Sequence, residues 1–397
     1  MIGRRAFAIL LAGLATLAPF SIDAYLPSFP AIAASFDVGA LEVQQTLSLY
    51  LIAFATMTLF HGALADAFGR RPVILAGVAL FAASAVGCAL STSLAQLLFF
   101  RVMQGLCAGA GLVVGRAMIR DMFAGPDAQR LMSTVTMIFA IAPAVAPVIG
   151  GWLQQAAGWQ SVFVLLAVFA GVLLVSCYLR LPETLPPGAR HAFALLPLAR
   201  NYLRVFGNAR YVLLVGAIAL NFGGYFLYIS AAPAFIYNVL ELGATDFAWL
   251  FGPGIAGVAL GAFVSGRLAG RLSPRATVAT GYGVMSCAAG ANLALCAWTA
   301  PALPWAVAPI MLYTVGMALA MPNLTLLGLD LFPHNKGLAA SIQAFVHSAG
   351  TALVAGLVTP IAHGSALGLA VAMALLLLAG CCCWIIYLVV SGRHARA

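Results

Sequence analysis

The chain is 397 residues long, 63% hydrophobic and only 7% charged, with a formal net charge of +9. A soluble domain carries roughly a quarter of its residues as charged side chains, so a water-solvated globular protein is excluded and lipid is the main solvent. The positive balance does not point to nucleic acid either, because the arginines are scattered through short connections and form no continuous basic stripe.

In chain order, Arg4 and Arg5 precede a first apolar run near 6–32. The pairing imitates a secretory signal, yet the run carries Asp23, lacks a clear cleavage site and is followed by many more runs, so a retained first helix is expected. Further runs lie near 44–65, 72–92, 95–117, 131–153, 159–179, 211–237, 246–269, 276–299, 303–328, 338–362 and 366–390, twelve in all. Each is near the length of about 20 residues that a membrane helix needs, and none alternates as a barrel strand would, so all twelve are read as transmembrane helices. The eight cysteines all fall inside apolar segments without a CxxC pair and read as small hydrophobic residues, with no disulfide or metal role.

The ten residues Gly62 to Arg71 are expected as a loop in water between the second and third helices. Adjacent arginines in a short connection stay on the cytoplasmic side, which places both termini there when crossings are counted. On that count every lysine and arginine except Arg101 is cytoplasmic, while the outer connections hold only the acids Asp37, Glu42, Glu241 and Asp246. A long hydrophilic stretch from Leu181 to Arg210, with Pro182, Pro186 and Pro187, separates an N-terminal six-helix bundle (1–180) from a C-terminal one (211–397), with 181–210 as a central cytoplasmic loop. The halves echo each other weakly, since Gly62, Asp66, Gly69, Arg70 and Arg71 have a degraded counterpart in Gly261, Ser265, Gly266, Arg267 and Arg271. Two parallel repeats imply a transporter with its site between the halves near the bilayer midplane.

Twelve spans, the central basic loop and the G-x-x-x-D-x-x-G-R-R pattern from Gly62 to Arg71 together resemble the major facilitator superfamily over essentially the whole chain, with Ala67 where a basic residue usually follows the aspartate. Arg101-Val-Met-Gln104-Gly105 resembles the R-x-x-Q-G motif of proton-coupled members. Ala142-Pro143 through Ala146-Pro147 to Gly150-Gly151 resembles the proline-glycine motif of drug–proton antiporters, with alanines at 142 and 146 where glycine is usual. With Asp23-Ala-Tyr25-Leu-Pro27, Arg116 to Asp121 and the closing Leu181-Pro182-Glu183-Thr184, the pattern is similar to the bicyclomycin- and chloramphenicol-resistance (Bcr/CflA) branch. The resemblance implies an all-α transmembrane major facilitator fold of two pseudo-two-fold-related bundles. The implied activity is proton-coupled multidrug efflux across the inner membrane by alternating access.

Charges inside a membrane are rare and functional by default, which puts Asp23 and Arg101 first. At 1.5 Å per residue Asp23 stands about 27 Å above residue 5, and Arg101 lies about 9 Å below the outer end of its helix, so the depths are compatible. Asp23 is read as the proton-exchanging acid, its protonation favoured by burial and opposed by Arg101 or a cationic cargo. A second reading makes Asp23 a cap at a helix break before Pro27, and Arg101 a tie to backbone carbonyls. Gly62, Asp66, Gly69, Arg70, Arg71 and Asp121 are assigned to a cytoplasmic latch, with Asp66 at the start of the eleventh helix near Gly337 and Arg70 reaching Asp121 or a neighbour; a solvated turn that only sets topology is the alternative. Pro143, Pro147, Gly150 and Gly151 are assigned to conformational mechanics in a kinked, closely packed fifth helix.

Substrate contacts are expected from Tyr50, Gln104, Met137, Phe139, Asn221, Tyr225, Tyr228, Asn323, Gln343 and His347, or the same side chains serve packing alone. Asn221, Tyr225 and Tyr228 share one helix face, as do Gln343 and His347. His347 also has a proton-relay reading beside that of a hydrogen-bonded structural residue. No GxxxxGK[ST] loop is present, so direct use of ATP is not expected, and the proton is the only coupling agent, with no other cofactor. A nutrient or metabolite carrier of the same fold is the alternative function. An enzyme would need catalytic groups clustered at one depth and a channel a ring of pore charges; neither is found. Nothing calls for more than a monomer.

Overall fold

The computed structural model describes residues 3–190, 195–332 and 336–394. Among them are twelve helices long and apolar enough to cross a membrane: α1 (Arg5–Phe36), α2 (Ala40–Phe68), α3 (Arg70–Ala89), α4 (Leu94–Met122), α5 (Asp127–Ala157), α6 (Gln160–Arg180), α7 (Ala209–Ser230), α8 (Ala248–Leu268), α9 (Pro274–Trp298), α10 (Ala308–Asp330), α11 (Gly337–Ala362) and α12 (Ala366–Ser391). The charges expected at Arg396 and in the side chains of Arg4, Lys336 and Arg393 lie outside the described residues.

The chain forms two compact units, Met1–Ala194 and Leu195–Ala397. In the first, α4 packs on α2 and α3, α1 packs on α5, α4 and α6, and α3 packs on α6. In the second, α10 packs on α8 and α9, α7 packs on α11, α10 and α12, and α9 packs on α12. Helix for helix the two lists are the same, so each unit is one copy of a six-helix pattern. With lipid on the outside, such packing rests on close van der Waals contact more than on the hydrophobic effect.

Two expectations change, and a break weighed as an alternative is present. Gly62 to Arg71 is not a ten-residue loop: α2 continues to Phe68, and the only interruption is Gly69, at φ +103°. The Ala63 to Phe68 stretch favours helix, and only glycine takes the positive φ of the corner without strain. The first helix is not continuous: it stops at Asp23, passes through a 3₁₀ turn at Leu26–Ser28 and resumes over Phe29–Phe36. Pro27 explains the stop, since it lacks an N–H and disfavours helix just before it. The connecting stretch is not all loop either, because Leu195–Phe206 is helical. Its Val205 is buried with Tyr211, Val215, Ala339 and Ile342, and Tyr202 packs on that cluster.

The fifth helix runs unbroken through Pro143 and Pro147. Its close approach is made at Gly150, where any Cβ would overlap the Ala24 carbonyl at the break in α1. Ala142 and Ala146 are buried, so the methyl groups that replace glycine are accommodated. In α11 the helical ladder widens to a π turn at Val354–Val358, which packs on α7.

Candidate functional site

The first unit encloses a cation. Arg101, on α4, is fully buried, and its guanidinium carbon lies 4.2 Å from the ring centroids of both Tyr25 on α1 and Tyr50 on α2. Phe163 of α6 stands 6.0 Å away. One nitrogen, Nη1, donates to the Ser21 carbonyl at 3.1 Å, to the Ser21 hydroxyl at 2.9 Å and to Gln104 Oε1 at 2.6 Å. Ser21 Oγ donates to the same Gln104 oxygen at 3.1 Å. The other two nitrogens, Nε and Nη2, and the Gln104 amide nitrogen have no hydrogen-bond partner among the described residues. A desolvated guanidinium between two aromatic faces gains about 2 kcal/mol from their quadrupoles, which offsets part of the cost of burying it.

Glycine brings these elements together. A Cβ at Gly105 would overlap the Tyr50 carbonyl, so its absence lets α4 lie directly on α2 beside Arg101. Tyr25 Oη is 3.1 Å from Thr46 Oγ1, and Tyr50 Oη donates to the Ala18 carbonyl at 3.4 Å, which fixes both rings.

Asp23 is also buried, on the same helix as Ser21 and Tyr25, at the end of its first segment. The residues at the cap positions of the following turn and of the Phe29–Phe36 segment are Tyr25 and Ser28, and neither makes a side-chain cap bond. Among the described residues the ion pairs join Arg70 to Asp66 and Asp121, Arg130 to Asp127 and Arg190 to Glu183, and none joins Asp23 to Arg101. The tie from Arg101 to a backbone carbonyl, by contrast, is present at Ser21.

At the other end of the unit, Arg70 donates to Asp66 and, at 3.1 Å, to Asp121. Thr184 donates to Asp121 at 2.9 Å. The Glu183 carboxylate accepts from the backbone N–H groups of Arg70 at 3.0 Å and Arg71 at 3.2 Å, capping the start of α3. Arg71 in turn donates to the Tyr178 carbonyl at 2.8 Å. A Cβ at Gly62 would meet nothing within 4 Å, and Gly151 is buried in α5.

The remaining expected contacts divide. Tyr50 and Gln104 are fully buried around Arg101. Met137 is exposed on α5 and Phe139 is half-buried. In the second unit Asn221 donates to Tyr282 Oη at 2.9 Å, and Tyr228 Oη accepts from Asn292 at 2.7 Å, so both are engaged with α9. Tyr225 is buried against Gly254. Gln343 donates to Thr325 Oγ1 at 2.8 Å and Asn323 to the Leu319 carbonyl at 3.2 Å. The His347 ring lies 4.3 Å from that of Phe222, centroid to centroid.

The family model for the Major Facilitator Superfamily matches residues 11–355. The chain belongs to that superfamily. This facilitator is 32% identical over 344 residues to the uncharacterized MFS-type transporter YdgK of Bacillus subtilis, covering 85% of each chain. It is 31% identical over 261 residues to a bicyclomycin resistance protein homolog of Haemophilus influenzae, covering 66% of each, and 26% identical over 367 residues to multidrug resistance protein D of Escherichia coli, covering 91% of this chain and 90% of that one. Such proteins are transporters, not enzymes.

Sequence reasoning on this facilitator did not place Ser21, Tyr25, Thr46 or Phe163 around Arg101, although Ser21 and Tyr25 stand one helical turn apart and so share a face. It also left Glu183 without a role. That cap yields a direct expectation. Glu183→Gln removes the charge at the start of α3 and should lower stability by about 1 kcal/mol, read as a downward shift of thermal unfolding in detergent. Glu183→Asp, which keeps the charge, should fall between the two.

Proposed function

We propose that this chain exports small drug-like molecules of more than one kind across the inner membrane in exchange for protons, by alternating access, as a member of the Bcr/CflA branch. It works as a monomer with both termini in the cytoplasm and needs no cofactor beyond the proton itself. The observation that carries the reading is the pair of buried, opposite charges in one six-helix unit that do not neutralise each other. Arg101 is held by ring faces and neutral oxygens, which leaves the Asp23 carboxylate to exchange its charge with a proton or with a cationic cargo. The drug-resistance names of two relatives support efflux as the direction.

The test uses everted membrane vesicles with an acidified interior and a panel of cationic, neutral and zwitterionic drugs. An antiporter releases protons from the interior when its substrate is added, and only in vesicles that contain the protein. Proton movement in the same direction as the cargo would instead support a nutrient or metabolite symporter, and drug flux without any proton movement would overturn the coupling.

A further inference from the structure

The connecting helix Leu195–Phe206 carries arginines and apolar residues in a pattern that its packing only half uses. It is 12 residues long, too short to cross a bilayer, and it belongs to the second unit, just before α7. Successive side chains turn by about 100°, so Val205 and Tyr202 share one face, Phe206 and Leu203 form the flank beside it, and Arg200 and Arg204 follow on the far side. The first face is docked. Val205 is buried with Tyr211, Val215, Ala339 and Ile342, and Tyr202 packs on the same cluster. The flank is left open, with Leu203 72% exposed and Phe206 37% exposed. Arg200 and Arg204 are exposed as well, and among the described residues neither forms an ion pair.

The docking partners fix the level at which this flank stands. Tyr211 lies two residues past the first residue of α7 and Ala339 two past the first of α11, hence about 3 Å inside the ends of those spans, and the Tyr211 hydroxyl donates to the Ala339 carbonyl. Leu331 and Phe332, just beyond the end of α10, pack on the same cluster. Three span ends therefore meet under the helix, which places it where hydrocarbon gives way to headgroups. A helix at that depth with an apolar flank beside a cationic one has the pattern of a membrane-surface helix. The sign of its charge names the lipid. From Leu195 to Arg210 the chain holds Arg200, Arg204 and Arg210 and no acid, so nothing within the segment competes for the guanidinium groups, whose planar donors match phosphate oxygens in pairs.

We propose that the flank of Leu195–Phe206 binds anionic phospholipid. Leu203 and Phe206 enter the boundary of the acyl chains, and Arg200 and Arg204 hold the phosphodiester of the headgroup. The lipid thereby pins the helix, and through Val205 and Tyr211 it steadies the starts of α7 and α11. This holds whatever the cargo and whatever ion drives it, so its success or failure leaves the antiport reading where it stands.

The experiment places the full chain in nanodiscs of dioleoyl phosphatidylcholine, and in discs where about a third of that lipid is replaced by dioleoyl phosphatidylglycerol, and follows hydrogen exchange by mass spectrometry over residues 199–207 and along α7 and α11. Exchange over 199–207 should be about tenfold slower in the anionic discs, and high salt should shrink the difference. Arg200→Gln with Arg204→Gln should erase the difference while exchange in the phosphatidylcholine discs stays within about twofold, and Arg200→Lys with Arg204→Lys, which keeps the charge, should restore part of it. Leu203→Gln with Phe206→Gln should speed exchange in both compositions. Equal exchange of the unmodified protein in the two discs would overturn the proposal, as would a difference that survives the glutamine pair or an unchanged rate after loss of Leu203 and Phe206. Slowing by soluble glycerol phosphate in the phosphatidylcholine discs would also overturn it, since the arginines would then take a free phosphate and not a lipid. Should the glutamine pair disturb folding, seen as faster exchange along α7 and α11 in phosphatidylcholine, the lysine pair and the salt dependence of the unmodified protein decide.

Discussion

Asp23→Asn is expected to abolish drug-driven proton release while the protein remains folded in the membrane. The amide matches the carboxyl group in shape, so α1 can keep its break at residues 23–28 and its contact with Gly150 of α5. The substitution breaks no ion pair, because the carboxylate makes none among the described residues. Thermal unfolding should therefore move by no more than about 1 kcal/mol, the ordinary size for a polar replacement that orphans no partner. Function should respond very differently. An amide cannot take up and release a proton, so whatever drug movement remains must be uncoupled, and counterflow at equal pH should survive while uphill efflux falls to the background of empty vesicles. Asp23→Glu keeps the titrating group and should retain part of the coupled rate. Proton release by the Asn variant at the unmodified rate would remove Asp23 from the mechanism.

The parts of this molecule that were legible in the sequence are those written in one stretch of chain. Twelve apolar runs gave twelve helices because lipid leaves a backbone no other way to satisfy its own polar groups, and the expected ends differ from the observed ones by up to about seven residues. The break in α1 was readable from Pro27, and the second reading of Asp23 placed it there. At Gly62 to Arg71 polarity was mistaken for loop. One acid and two arginines do not unwind a helix that emerges into water, and the chain needs only Gly69 to turn the corner. The Leu195–Phe206 helix was hidden by the opposite error, since its arginines and the prolines before it masked the i, i+4, i+7 series of Leu198, Tyr202 and Val205.

Side-chain partners were legible only where they share a helix. Arg101 and Gln104 stand at i and i+3, and they do meet. The rings that enclose the guanidinium come from three other helices, and no spacing rule pairs Tyr25 with Tyr50 or Phe163. Glu183 caps Arg70 across 113 residues of sequence, a contact that exists because α6 returns to the end of the bundle where α3 begins. Helical periodicity put Asn221 and Tyr228 on one face of α7 correctly, but it could not say that this face looks at α9, where Tyr282 accepts from the Asn221 amide nitrogen and Asn292 donates to the Tyr228 hydroxyl. Polar and aromatic side chains inside a membrane serve helix-to-helix ties and cargo contacts with the same chemistry, and only the neighbouring helix tells them apart.

Arg101→Lys, conservative in charge, should be costly at this site. Lysine offers a point charge on a flexible stem, whereas the cage between Tyr25 and Tyr50 fits a flat cation with a ring on either side. The ammonium cannot lie 4.2 Å from both centroids and also reproduce the bonds from Nη1 to the Ser21 carbonyl, the Ser21 hydroxyl and Gln104. A loss of about 2–3 kcal/mol is expected, from weaker cation–π attraction and from at least one buried oxygen left without its donor. Arg101→Met removes the charge and its desolvation cost together, so it should be no less stable than the lysine variant, although Gln104 loses its donor and transport should fail in both. The rings can be separated from the hydrogen bonds with a second pair of variants. Tyr50→Phe keeps the face and gives up the hydroxyl's bonds to the Ala18 carbonyl and to Ser21, whereas Tyr50→Leu removes the face. Combined with Arg101→Lys, the leucine change should cost less than it does in the unmodified protein, by about 1 kcal/mol or more, because the contact it deletes is already weakened. Simple additivity of Arg101→Lys and Tyr50→Leu in thermal unfolding would mean that the aromatic faces do not hold this cation, and that its hydrogen bonds to Ser21 and Gln104 alone keep it inside the bundle.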